Sequence, residues 1–202
     1  MSISQYSEDR RDCLQEVCNV ALGQAANALA RQFDVFVTLP IPVISIIAAD
    51  QLADSLAHFG SGGQAEIYAA SQLFASPADG CDLTGLALVM LAEESLNDLQ
   101  SLMPVTMPVD ELIISTCHSM AQTCLDALSE QWGLGFQSAA PALVGYQSLR
   151  SICQQVVKDW QHILVVNINY QFEGRVFNGN LLLLFPDQAI DAMAQRLDEL
   201  LA

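Results

Sequence analysis

A carboxylate and a carboxamide stand three residues apart near the start of the sequence, at Glu16 and Asn19. A carboxamide both donates and accepts hydrogen bonds, so it can orient a water molecule, whereas a carboxylate can bind a cationic side chain. Residues 10–33 contain no Pro and one Gly, and we predict that they form a long helix. At 100° per residue, Asp12, Glu16 and Asn19 share one side of it. This polar ridge can receive a partner, although any solvated helix face has a similar pattern.

Gly23 lies on the same ridge, inside the predicted helix. A glycine in a helix interior costs about 1 kcal/mol relative to alanine. A second molecule that approaches the ridge closely would account for this cost. Close packing of the helix against another helix or a sheet would account for it as well.

A second helix with the same layout is predicted 99 residues later, over 109–132. Its polar ridge consists of Glu111, Ser115, His118, Gln122 and Asp126. Ser115 takes the place of Glu16, and His118 takes the place of Asn19. The architecture therefore repeats, but the carboxylate–carboxamide pair does not.

The whole chain repeats in the same way, since Pro42 and Pro141 lie 99 residues apart and Gly85 and Gly179 lie 94 apart. The remaining predicted elements are strands at 40–47, 66–75, 82–91, 141–147, 163–172 and 176–185, and helices at 49–59, 93–102, 148–159 and 187–201. Turns are expected at 60–63 and 76–80. The order predicts an α+β fold of two pseudo-symmetric α-β-α-β-β-α halves, which join into one antiparallel sheet with the long helices packed on it. We expect a single domain over 1–202, with repeats at about 8–103 and 107–202.

The composition restricts the partners of this fold. Lys and Arg number 7 against 23 Asp and Glu, which gives a formal charge of −16. Nucleic acids and anionic membrane surfaces require clustered basic residues, so neither is an expected partner. The longest apolar runs are too short to cross a bilayer, and the first residues lack the layout of a signal peptide. We expect a soluble cytoplasmic protein without membrane insertion.

Other catalytic chemistries find no support in the sequence. The six cysteines form no C-x-x-C pair, and we expect reduced, mostly buried thiols. The three histidines, His58, His118 and His162, are scattered and form no zinc motif, so no metal site is predicted. A metal-dependent hydrolase is disfavoured for the same reason. There is no phosphate-binding glycine loop, no G-x-S-x-G and no dinucleotide fingerprint.

The spacing Asp12-x3-Glu16-x2-Asn19, followed by Pro42, resembles the signature of the CheC/CheX/FliY family of chemotaxis phosphatases. The segment LQEVCNVALGQAANAL is similar to the first long helix of that family, and CheC-type members are also built from two halves. The resemblance therefore covers nearly the whole chain. It implies a CheC-like phosphatase that removes phosphate from the aspartyl-phosphate of CheY-type response regulators.

The same resemblance implies the residue roles. Asn19 would orient the attacking water, and Glu16 would pair with a lysine of the receiver. Asp12 would support the ridge, Gly23 would leave room for the partner, and Pro42 would shape the start of the nearby strand. The receiver would supply its own Mg²⁺, so no cofactor of this chain is expected.

Two alternatives remain open under this resemblance. The family also contains members whose sites serve binding, so the chain can instead be a non-catalytic module that docks a response regulator or another chemotaxis or flagellar protein. Family members can also be regulated by a deamidase of the CheD type, a contact to which no residue here points. The second ridge, with Glu111, Ser115, His118 and Pro141, is interpreted as a degenerate, inactive site.

Overall fold

The structure is a computed structural model that describes residues 7–56, 66–76, 83–175 and 179–201. The first half contains α1 (Glu8–Phe33), β1 (Val37–Thr38), β2 (Val43–Ala48), α2 (Leu52–Ser55), β3 (Glu66–Ala75), β4 (Thr84–Leu91) and α3 (Ser95–Leu102). The second half contains α4 (Val109–Trp132), β5 (Gln137–Ser138), β6 (Ala142–Ser148), α5 (Leu149–Val156), β7 (His162–Phe172), β8 (Gly179–Pro186) and α6 (Asp187–Leu201). The same order of elements therefore occurs twice, as the α+β prediction requires.

All strand pairs of the described chain are antiparallel and belong to one sheet with the order β1-β7-β8-β4-β3-β5. Strand β2 also pairs with β7, and β6 also pairs with β3. The first strands of each half thus pair with the hairpin of the other half. Because of this exchange, the hydrogen bonding of each half-sheet is completed by the other half.

The sheet carries helices on both faces, which explains its two uninterrupted apolar strands. Strands β4 and β8 lie at the centre, and both of their faces are buried. Alternate residues of β4, such as Val89 and Leu91, pack in the larger core with α1, α4, α3 and α6. Their neighbours Leu88 and Met90 pack in a smaller core with α2 and α5. A strand buried on both faces has no polar positions to alternate with, so its sequence reads as a continuous hydrophobic run.

Local chemistry defines the ends of α1. The Ser7 side chain accepts a hydrogen bond from the Arg10 main-chain N–H at 3.2 Å and caps the first turn. Asp34 ends the helix in the left-handed conformation with φ 50°, and its N–H bonds to the Ala30 carbonyl. The apolar face is fully covered, with Leu14, Cys18, Ala21, Leu22, Ala25, Leu29 and Phe33 all buried. Burial of this face therefore determines which side of α1 faces solvent, and the polar ridge of α1 lies on that side.

Helices α1 and α4 lie next to each other on this face of the sheet. Gln32 Nε2 donates to Ser119 Oγ across the pair at 2.8 Å, and Gln131 Nε2 donates to Gln24 Oε1 at 3.4 Å. The seven residues predicted for the inner face of α4, from Ile113 to Leu128, are all buried. The two polar ridges consequently belong to one helical layer.

Gly85 on β4 shows how closely this core is packed. A Cβ at this position would overlap the ring of Phe74 and lie 2.9 Å from the main-chain oxygen of Leu184. The Phe74 ring is itself held edge-on to Phe136 and Phe185, at centroid distances of 5.6 and 5.4 Å. Only glycine leaves room for this aromatic cluster.

The sequence-based elements differ from the structure in a few places. The predicted helix 49–59 is a 3-10 turn at Ala49–Gln51 followed by the single turn of α2, and residues 57–59 lie outside the described residues. Strands β1 and β5 were not predicted, because two residues are too few to show an alternating pattern. The turn at 60–63 and all but the first residue of the turn at 76–80 lie outside the described residues. In the described ranges, no helix combines the length and the hydropathy needed to cross a membrane.

Candidate functional site

The ridge of α1 presents its two acidic side chains to solvent. Asp12 and Glu16 are exposed, and within the described parts of the chain neither makes a hydrogen bond or an ion pair. The nearby Arg10 is instead bound to Asp198 of α6, with 2.6 Å between Nη2 and Oδ2. The two carboxylates therefore stay available to a cationic group of another molecule.

Asn19 lies one turn after Glu16 and is half-buried. Its Oδ1 accepts a hydrogen bond from Gln15 Nε2 at 3.2 Å. The same Gln15 nitrogen lies 3.4 Å from the carbonyl oxygen of Pro42, to which it donates as well. Gln15 thus connects the carboxamide of Asn19 to the main chain at Pro42, 27 residues further along the chain.

Pro42 is buried and directly precedes β2. Strand β2 pairs with β7 from Val43 to Ala48, and this pairing holds the segment at Pro42 beside α1. Proline has no N–H to donate, so its carbonyl is the only main-chain group that it can offer to Gln15. The structure therefore brings Asp12, Glu16, Asn19 and Pro42 to one side of the molecule, although Pro42 is distant in sequence.

Gln15 is the site residue that sequence reasoning missed. Gln15 and Asn19 are four residues apart, a spacing at which amide side chains on a helix form hydrogen bonds. This spacing is the sequence signal from which their contact could have been predicted. The contact to Pro42 depends on the pairing of β2 with β7, and no local pattern predicts that contact.

Three exposed apolar side chains are sequence neighbours of residues of this polar spot. Val20, next to Asn19, is 42% exposed, and Ile41 and Val43, on either side of Pro42, are 75% and 64% exposed. We call Val20, Ile41 and Val43 the apolar rim. Large exposed apolar groups beside a polar pair are typical of a surface that a protein partner covers.

A cleft of about 390 Å³ opens between α1 and β2 beside the rim. Asp12 and Gln15 line it on the helix side, and Ile44 and Ile46 line it on the strand side. Gly23 lies further along the helix, where a Cβ would meet nothing within 4 Å. No packing inside the described chain requires glycine there, which removes close internal packing as the explanation for Gly23.

The second ridge has different chemistry. Glu111 and His118 are exposed, while Ser115 and Pro141 are half-buried. Gln72 Nε2 donates to the carbonyl of Ala139 at 2.8 Å and lies 3.3 Å from His118 Nδ1. This ridge has an imidazole ring in place of the carboxamide and no carboxylate at Ser115.

Other reactive groups do not assemble into a site. No group of three or more His, Cys, Asp or Glu in the described residues can hold a metal ion. Burial raises the pKa of four thiols to about 12, which disfavours a nucleophilic thiolate; they are Cys18, Cys117, Cys124 and Cys153. Cys13 is half-exposed, and Cys81 and His58 lie outside the described residues. His162 is paired with Asp187 at 3.0 Å.

The fold is similar to that of several solved structures. FliY from Thermotoga maritima matches with a TM-score of 0.65 and 15% identity, over 96% of this chain and 98% of that one. The FliM middle domain from H. pylori matches with a TM-score of 0.62 and 9% identity, over 94% of this chain and 99% of that one. CheX from Desulfovibrio desulfuricans matches with a TM-score of 0.54 and 12% identity, over 84% and 99%. No protein-family model matches the sequence, and no curated protein sequence matches it.

These likenesses confirm the fold predicted from the helix motif and the repeat. The chain has the α+β architecture with an antiparallel sheet that FliY and CheX share. The FliM middle domain has the same architecture. Identities between 9% and 15% establish a shared fold alone.

Proposed function

We propose that this chain is a phosphatase of the CheC/CheX/FliY type, which hydrolyses the aspartyl-phosphate of a CheY-type receiver domain through Glu16 and Asn19. The observation that carries the proposal is that Gln15 connects the half-buried Asn19, one turn after the exposed Glu16, to the main chain at Pro42. The shared fold and the four-residue motif support the same assignment.

The reaction needs positioning more than covalent chemistry. Water attacks the phosphorus in line, the bond between phosphorus and the aspartate oxygen breaks, and the products are a carboxylate and inorganic phosphate. Phosphoryl transfer of this kind depends on orientation and on stabilisation of charge. The carboxamide of Asn19 is neutral and can hold the water by donating or accepting a hydrogen bond. A carboxylate at that position would repel the phosphate instead.

Glu16 serves docking in this proposal. It is exposed and unpaired in the described chain, so it can accept a salt bridge from a lysine beside the phosphorylated aspartate. The lysine neutralises the carboxylate, which then adds no net repulsion to the phosphate. The receiver supplies the Mg²⁺ that stabilises the phosphoryl oxygens. The apolar rim, with Val20, Ile41 and Val43, gives the partner apolar area to cover.

The second ridge is a non-catalytic surface in this proposal. Ser115 has no carboxylate for the lysine, and His118 has its Nδ1 occupied by Gln72. One working ridge per chain is therefore expected.

A second candidate function is a binding module without turnover. The fold matches the FliM middle domain over 94% of this chain, about as well as it matches FliY. Another solved structure with this fold is a FliG–FliM complex from H. pylori, with a TM-score of 0.56. A module of this kind would use the same rim to bind a flagellar or chemotaxis protein and would release no phosphate.

One experiment separates these two functions. Receivers from the same organism are phosphorylated with a small phosphodonor and mixed with the purified protein, and loss of the aspartyl-phosphate is followed over time. Asn19→Ala should lower the rate by about 100-fold, since misplacing a reacting group costs that order of magnitude. Glu16→Ala should also weaken docking, and His118→Ala should change the rate by less than about twofold.

Circular dichroism of each variant controls for unfolding. All three changed side chains are on exposed or half-exposed positions, where substitutions usually cost less than about 0.5 kcal/mol. Binding of the receiver without loss of phosphate would favour the binding module. A loss of activity in His118→Ala but not in Asn19→Ala would refute the assignment of the working ridge.

A further inference from the structure

Both N–H bonds of the Gln15 side chain take part in hydrogen bonds. It is half-buried, and its Nε2 carries two N–H bonds. One is directed to Asn19 Oδ1 at 3.2 Å and the other to the Pro42 carbonyl oxygen at 3.4 Å. A flipped Gln15 amide would place Oε1 against the Pro42 carbonyl oxygen, which cannot donate, so the contact to Pro42 determines the orientation of this side chain.

The hydrogen bond from Gln15 also determines the orientation of Asn19. The Asn19 Oδ1 must face Gln15, so its Nδ2 is turned away from it. In the described residues, Nδ2 has no hydrogen-bond partner, which leaves both of its N–H bonds for a ligand. A free carboxamide on a helix surface would rotate about its last torsion and present either atom. The hydrogen bond from Gln15 removes that freedom before a partner arrives.

The second ridge holds its corresponding residue in the same way but with a different element. Gln72 lies on β3, not on the helix, and its Nε2 connects His118 Nδ1 to the carbonyl of Ala139, two residues before Pro141. The helix position that corresponds to Gln15 is Ile114, which has no amide. Both halves thus connect the ridge residue to the main chain near the edge strand through one glutamine, although the two glutamines come from different elements.

We propose that Gln15 is a positioning residue, which holds the Asn19 carboxamide with its N–H bonds outward and anchors it to the main chain at Pro42. The role of this orientation in hydrolysis rests on the proposed phosphatase function. Gln15 itself touches neither water nor phosphate in this assignment and acts only through Asn19.

Two variants test the role. Gln15→Met keeps the length and the helix propensity but removes the donor, and Gln15→Glu replaces the donor with an acceptor. With the carboxylate, Asn19 is expected to turn round and donate Nδ2 to it. Both variants should lower kcat by about tenfold or more, with KM changed by less than about threefold, because the docking groups are untouched. Gln24→Met, on the same helix away from the site, should leave both parameters unchanged.

A double-mutant cycle distinguishes positioning from an independent role. In an Asn19→Ala background, Gln15→Met should have no further effect on kcat, since the group that it orients is gone. An equal loss of kcat in both backgrounds would overturn the proposal. So would a loss in Gln24→Met as large as that in Gln15→Met.

A readout that does not depend on activity keeps the two proposals separable. NMR relaxation of the Asn19 side-chain amide should give an order parameter above about 0.6 in the wild type and below it in Gln15→Met. Equal mobility in both proteins would refute the positioning role, whatever the kinetics. An ordered amide in a wild-type protein that releases no phosphate would refute the phosphatase function and leave the positioning of Asn19 by Gln15 supported.

Discussion

Replacing Gly23 by alanine should make the protein more stable. Gly23 lies in the interior of α1, and a Cβ there would have nothing within 4 Å. The substitution therefore adds no clash and removes only the backbone freedom that glycine has in the unfolded chain. The expected gain in the free energy of unfolding is about 1 kcal/mol. For a domain of this size, a gain of 1 kcal/mol raises Tm by roughly 2–4 °C.

The same variant should bind its partner less well if the ridge is the docking surface. A methyl group added where two surfaces meet closely costs about 1–3 kcal/mol, as overpacking does in a core. A cost of 1.4 kcal/mol is a tenfold change in Kd. Gly23→Ala should therefore be a rare case in which a more stable protein docks its receiver more weakly, by about 5- to 150-fold in Kd.

Guanidinium denaturation followed by circular dichroism measures the first effect, and the Kd for the receiver measures the second. Asn27→Ala is the matched control, because it also favours the helix but adds no volume. It should stabilise the protein without weakening docking. A loss of stability in Gly23→Ala would refute the open space assigned to this position. A gain in stability with unchanged docking would refute close approach of a partner as the reason for glycine.

Three further predictions follow from the packing and the charges. Gly85→Ala should destabilise the protein by about 1–3 kcal/mol in the same denaturation assay, because its Cβ overlaps an aromatic ring; a neutral result would contradict the tight packing of β4. In a Cys81→Ser background, iodoacetamide at pH 8 should label Cys13 before the four buried thiols. Mass spectrometry of the labelled peptides measures the order. Rapid labelling of the four thiols would disprove their burial. Burial acts to raise the pKa of Asp187, but hydrogen bonds from His162 outweigh this effect and hold that pKa below its usual value. The ionised Asp187 therefore contributes fully to the stability of the folded protein above about pH 4. This contribution is lost as the pH falls through the lower pKa of the folded state. Asp187→Asn should thus be less stable than the wild type at pH 6, with the difference shrinking in acid; a difference independent of pH would refute this linkage.

Local sequence patterns determined most of the secondary structure. The helix predicted at 109–132 is α4 without a change of bounds, and 187–201 is α6, because each has a continuous apolar stripe and clear ends. The ridge and the buried face of α1 follow from the 3.6-residue period alone. The doubling of the fold is also visible in the sequence, since corresponding prolines and glycines recur at a nearly constant offset. These features are local or repeat along the chain, so no tertiary contact is needed to recognise them.

Tertiary structure decided which residues meet at the candidate site. The pairing of β2 with β7 brings Pro42 to α1, and only this contact makes Gln15 a link between Asn19 and the main chain. The exchange of first strands between the halves is likewise invisible in the sequence, because both β3 and β7 offer similar apolar edges to pair with. Short elements such as β1 form because their neighbours present hydrogen-bonding groups, not because of their own residues. The sequence thus determined which polar side chains lie on the ridge of α1. The long-range pairing of strands determined which main-chain segment lies against them.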